Sequence, residues 1–103
     1  MTGTLDDSPI GDTKAAERRI PFDRIHAPDQ YLVTFQGGDH MTFAVPRRRP
    51  GRAEKDARFQ DLILQGTTAF WDAYLKGDAA AKSWLARGGY AGTLGGEGKL
   101  EVK

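Results

Sequence analysis

Apolar and polar positions follow two rhythms along the chain. From Tyr31 to Phe35 (Tyr-Leu-Val-Thr-Phe) the run is nearly continuous, with Tyr31, Val33 and Phe35 on one face and Leu32 and Thr34 on the other. That pattern predicts a strand covered on both sides, as in a parallel α/β sheet, closed by Gly37-Gly38. From Glu54 to Lys76 the rhythm changes. Phe59, Leu62, Ile63, Phe70, Tyr74 and Leu75 recur at three- and four-residue steps, predicting one long amphipathic helix. Gly66 falls on its apolar stripe, where a missing side chain allows close approach to a sheet.

Shorter elements surround these two. Met1–Thr4 reads as the end of a strand, and Asp6–Asp12 as turn chemistry with Ser8, Pro9 and Gly11. Ala15–Arg19 fits a helical turn, and Pro21 disfavours helix at Ile20. Residues 46–53 form a basic loop broken by Pro46, Pro50 and Gly51. Gly77 stops the long helix, Asp78 caps a short one over Ala79–Ala86, and Gly88-Gly89 ends it. The expected organisation is a body over residues 1–87 and a ragged, Gly-rich tail over 88–103. Trp71 and Tyr74 are expected in the core, and Trp84 over the end of the long helix. One buried strand and a stub offer too little sheet to cover so broad a helical stripe. The expectation is therefore an α/β fragment of something larger, prone to self-association if its apolar stripe is left open.

Composition narrows the function classes. The 103 residues carry a net charge of +1, 39% apolar and 28% charged residues, and no cysteine. Thiolate metal sites and disulfides are thereby excluded. The balanced charge argues against a polyanionic partner, so neither nucleic acid nor membrane is expected. The N-terminal residues lack the basic and apolar regions of a signal peptide, which makes a cytoplasmic location the default expectation. The run Arg47-Arg48-Arg49 with Arg52 offers the rival reading, a small non-enzymatic binding module using that basic loop. His26 reads as a loop residue, and a metal site from His26, Asp39 and His40 is disfavoured because adjacent residues do not converge well on one ion.

Two motifs carry candidate chemistry: Gly3-Thr4-Leu5-Asp6-Asp7-Ser8-Pro9 after the strand stub, and Gly37-Gly38-Asp39-His40 after the buried strand. They place a carboxylate and an imidazole at the C-terminal ends of two strands, the edge at which open parallel sheets bind ligands. Gly3-x-x-Asp6-x-x-Pro9 resembles the catalytic-acid loop of serine α/β-hydrolases, and the strand-Gly-Gly-Asp39-His40 segment resembles their histidine loop. Thr67–Leu85 is similar to the closing helices of that fold, nearest to the dienelactone hydrolase and chlorophyllase-like branch. The resemblance covers Met1–Leu85 and implies the C-terminal part of an α/β-hydrolase fold. It further implies His40 as general base, Asp6 as triad acid with Asp7 as runner-up, an ester-type small-molecule substrate, and no cofactor. The nucleophile elbow Gly-x-Ser-x-Gly is absent from these residues. Ser8 and Ser83 lack its strand-turn-helix setting, so no esterase turnover is expected from this polypeptide alone.

Overall fold

The computed structural model describes residues 1–44 and 49–103. Its centre is β2, Tyr31–Asp39, flanked by β1, Thr2–Leu5, and β3, Gly98–Val102. β1 runs parallel to β2 and β3 antiparallel to it, giving a mixed three-stranded sheet in the order β1-β2-β3. A 3₁₀ turn, Ala15–Arg19, leads into the short helix α1, Ile20–Arg24. The long helix α2, Ala53–Leu75, is followed by α3, Ala79–Ala86, and α4, Gly89–Leu94. The content is α/β, and the described residues hold no helix long and apolar enough to cross a membrane.

Val33 and Phe35 face α2, where Phe59 and Leu62 are fully buried against them and the Phe35 and Phe59 rings lie 5.1 Å apart. The opposite face carries Leu32, Thr34 and Glu101. It is partly covered by the turn before α1, whose Arg19 reaches Glu101 at 3.3 Å. β2 is thus covered on its α2 face and in part on the other. Three local expectations need correction. Gly37-Gly38 does not end the strand: β2 continues to Asp39, with Gly37 at φ +76°. Pro21 does not keep Ile20 out of a helix, because it falls in the first turn of α1, where the proline nitrogen would have no intrahelical partner. The second neighbour of β2 is antiparallel: after passing through α2, α3 and α4 the chain enters β3 running against β2.

The largest correction concerns residues 88–103, expected to be ragged. Tyr90 and Leu94, one turn apart on α4, are each 1% exposed. β3 pairs with β2 from Tyr31↔Val102 to Phe35↔Gly98, and its Leu100 packs against the core. Gly66 does mark a close approach, but to Tyr90 and not to the sheet: a Cβ there would meet the Tyr90 phenol ring and hydroxyl. The Tyr90 hydroxyl donates to the Leu62 carbonyl at 2.7 Å, and its ring lies 5.1 Å from that of Trp84. The helical stripe expected to stand open is therefore covered over Phe59, Leu62 and Gly66. Trp71 and Leu75 do not join it, with 54% and 75% of their surface exposed. Each sits one residue beyond a stripe position, and one residue is a 100° turn of the helix. Trp84 lies against Tyr90 and not over the end of α2.

Candidate functional site

The two loops picked out by sequence meet at the C-terminal ends of β1 and β2. Glycine makes this possible. Between Gly3↔Phe35 and Leu5↔Asp39 the register advances two residues in β1 but four in β2, a bulge that admits extra residues beside β1. Bulges of this kind re-aim the chain that follows. Gly3 lies so close to Gly38 that a Cβ on Gly3 would fall 2.1 Å from the Gly38 carbonyl oxygen. Gly37 N–H donates to Thr4 Oγ1 at 2.8 Å, tying the bulge back to β1. Gly3→Ala is expected to destabilise the fold by about 3 kcal/mol, because the obstacle is main chain that no rotamer change relieves. Gly92→Ala on α4, where nothing lies within 4 Å of an added Cβ, is the control and should stay within about 1 kcal/mol of the parent in urea unfolding.

At the end of β1, Asp6 is 7% exposed by side chain; at the end of β2, His40 begins a 3₁₀ turn, His40–Phe43, and is 50% exposed. His40 Nδ1 and Asp6 Oδ1 are 2.9 Å apart. An ionised carboxylate only accepts, so a neutral ring paired with it donates from Nδ1 and keeps its lone pair on Nε2. That is the tautomer a general base requires. Asp6 Oδ2 accepts from Thr2 Oγ1 at 3.0 Å and lies 3.8 Å from Arg18 Nε. Asp7, the runner-up acid, points elsewhere: it accepts from the Ala15 N–H at 2.8 Å, which holds its carboxyl below the usual carboxylate range. One residue of loop register separates the two, and the tertiary structure brings Asp6 to the imidazole.

The histidine turn is itself clamped. Asp39 accepts from Thr42 N–H at 3.1 Å, and Asp39 N–H donates to Thr42 Oγ1 at 3.0 Å, a reciprocal cap. Arg49 donates to Asp39 at 2.7 Å and forks onto Asp56 of α2 at 2.9 and 2.8 Å. This guanidinium holds the Asp39 carboxyl below its ordinary range against the opposing effect of burial, and the two carboxylates raise Arg49 in turn. Arg52 donates to the Gly37 carbonyl at 2.9 Å. The basic loop read as a possible binding surface therefore gives two of its arginines, Arg49 and Arg52, to the support of the histidine turn. Arg47 and Arg48 lie outside the described residues. Sequence reasoning missed this clamp as well as Thr2 and Arg18. Its legible part was the spacing that sets Asp56 four residues after Arg52 at a helix start; the partner across the turn had no local signal.

Of the other candidates, Ser8 turns back onto the main chain of Ile10, and Ser83 is an exposed residue of α3. The structure brings neither His26 nor Asp39 to the His40 ring as a metal ligand, and among the described residues no group of three or more His, Asp or Glu side chains could hold an ion. Fold and site together define an α/β protein with a hydrogen-bonded carboxylate–imidazole pair at one edge of its sheet. Comparison with known protein families, characterised proteins and solved structures finds no match.

Proposed function

We propose that Asp6 and His40 are the acid and general base of a serine-hydrolase triad, acting on an ester or related acyl bond with a nucleophile outside these 103 residues. The observation that carries the reading is the 2.9 Å bond from His40 Nδ1 to a buried carboxylate, at the C-terminal ends of two adjacent parallel strands. The order acid-then-histidine and the Gly-rich entry to each loop support it further. In this chemistry Nε2 takes the serine hydroxyl proton as the oxygen attacks the acyl carbon. The imidazolium returns that proton to the departing alcohol, leaving an acyl-enzyme. Water then attacks the acyl group with Nε2 again as base, releasing the acid and the free serine. Asp6 holds the ring in the Nδ1–H tautomer and stabilises the imidazolium. No cofactor is needed for these steps. The C-terminal strands and closing helices of an α/β-hydrolase are the setting this reading assigns to the chain.

The test is complementation. The coding sequence on the N-terminal side of Met1 is read for an in-frame Gly-x-Ser-x-Gly, and that segment is expressed joined to this chain and assayed on a short-chain aryl ester. The chain alone is expected to give no turnover above background, and the joined polypeptide to hydrolyse the ester. Turnover by the chain alone, lost on His40→Ala, would reveal a nucleophile within these residues. Hydrolysis by the joined polypeptide that survives His40→Ala would overturn the assignment.

A further inference from the structure

Resting on that reading, we propose that Arg18 is a positioning residue for the pair: it anchors the acid loop that brings the Asp6 carboxylate to His40. Arg18 belongs to the 3₁₀ turn Ala15–Arg19, which the triad chemistry leaves unused. Its Nε donates to the Asp6 carbonyl oxygen at 3.2 Å and stands 3.8 Å from Asp6 Oδ2. The Thr2 hydroxyl donates to the same Oδ2 at 3.0 Å, and Oδ1 is left to the imidazole. The main-chain bond holds the acid loop in place, and the Arg18 charge sits beside the carboxylate that His40 meets. A nearly buried carboxylate needs a partner of opposite charge if it is to stay ionised without an imidazolium beside it. Arg18, with 29% of its side chain exposed, supplies that charge whether or not His40 carries a proton. The charged groups facing Asp6 are Arg18, His40 and the α-amino group of Met1, while Thr2 contributes a neutral hydroxyl.

The arrangement predicts a signature in the ring nitrogens. The chain has two histidines, so imidazole ¹⁵N spectra recorded where the rings are neutral resolve each ring. In the parent, His40 is expected in the Nδ1–H tautomer, and His26 serves as an internal reference. In Arg18→Gln the acid loop loses its main-chain anchor and Asp6 its neighbouring charge, so the carboxylate holds Nδ1–H less firmly and the Nδ1–H population should fall to about half, with His26 and the amide fingerprint of α2 unchanged. Arg18→Lys keeps the charge but loses the Nε donor to the Asp6 carbonyl, and should fall between the two. A folded Gln variant with the parent's tautomer ratio would overturn the positioning role while leaving the Asp6–His40 pair intact. Should the Gln variant fail to fold, the Lys variant decides on the same terms: an unshifted ratio overturns the proposal and an intermediate one supports it. A parent spectrum with His40 in the Nε2–H form would instead sink the underlying pair.

Discussion

In the joined, active polypeptide, His40→Ala is expected to lower kcat by about six orders of magnitude, and Asp6→Asn by about four, with KM little changed in either. Removing the imidazole leaves the serine hydroxyl at its ordinary basicity with no acceptor for its proton. The asparagine effect is subtler. An amide donates where the carboxylate accepted, so Nδ1 must now accept and the proton moves to Nε2. The ring then faces the serine as a donor and does not take its proton. The geometry survives while the tautomer is reversed, which is why the loss is large and falls on kcat. Steady-state kinetics on an aryl ester measures both, and a loss under tenfold for either variant would remove that residue from the chemistry. Asp7→Asn is the internal control. Its carboxylate caps the Ala15 N–H and does not touch the ring, so its rate should stay within a fewfold of the parent.

Tyr90→Ala should destabilise the chain by about 3–5 kcal/mol, a large part of what a domain of this size has. Tyr90 is 1% exposed, fills the notch made by Gly66, and packs on Trp84. Truncation leaves a cavity between α2, α3 and α4, and it loosens the anchor of the segment that leads into β3. Tyr90→Phe removes only the hydroxyl's bond to the Leu62 carbonyl and should cost about 1 kcal/mol. Midpoints in urea give both values, and a Tyr90→Ala loss below about 1 kcal/mol would mean that residues 88–103 are not part of the fold. The same residue carries a pH dependence. Burial pushes the Tyr90 phenol up to about 12 from an ordinary value of 10.0. Its folded pKa is therefore raised, so its contribution is fully present below pH 10.0 and is lost as pH climbs toward 12. Tyr74 acts in the same direction, raised first by burial and then by its bonds to Tyr31 and Asp29. Tyr90→Phe should accordingly flatten, without abolishing, the alkaline loss of stability.

Both expected results turn on residues of different legibility. Asp6 and His40 stood out because glycine-rich turns after apolar strands are a local signal, and the two loops resemble the acid and histidine loops of α/β-hydrolases. Tyr90 did not stand out. The glycines around it resemble a tail, yet Tyr90 and Leu94 are one helical turn apart, and Lys99-Leu100-Glu101-Val102 alternates as a strand should. Both patterns are short, and a pattern that short is stable only with something to pack against. That something is the face of α2 around Gly66, 24 residues before Tyr90, and the free edge of β2, 63 to 71 residues before its β3 partners.

What the chain's own order of residues determined was the set of elements with strong local reasons to form: β2, whose β-branched and aromatic run suits a covered strand, and α2, whose stripe repeats over more than about four turns. It also determined α3, with its Asp78 cap, and the candidate acid and base. Tertiary structure decided the rest. It decided that β3 closes the second edge of β2, that Tyr90 and not a strand fills the gap over Gly66, and that Arg49 and Arg52 pair with Asp39 and Asp56. It also decided that Asp6, not Asp7, meets the imidazole. The physical reason is common to all four. Hydrophobic periodicity and turn chemistry act between near neighbours, whereas these outcomes depend on which distant groups can be buried, paired and brought within hydrogen-bonding distance at once.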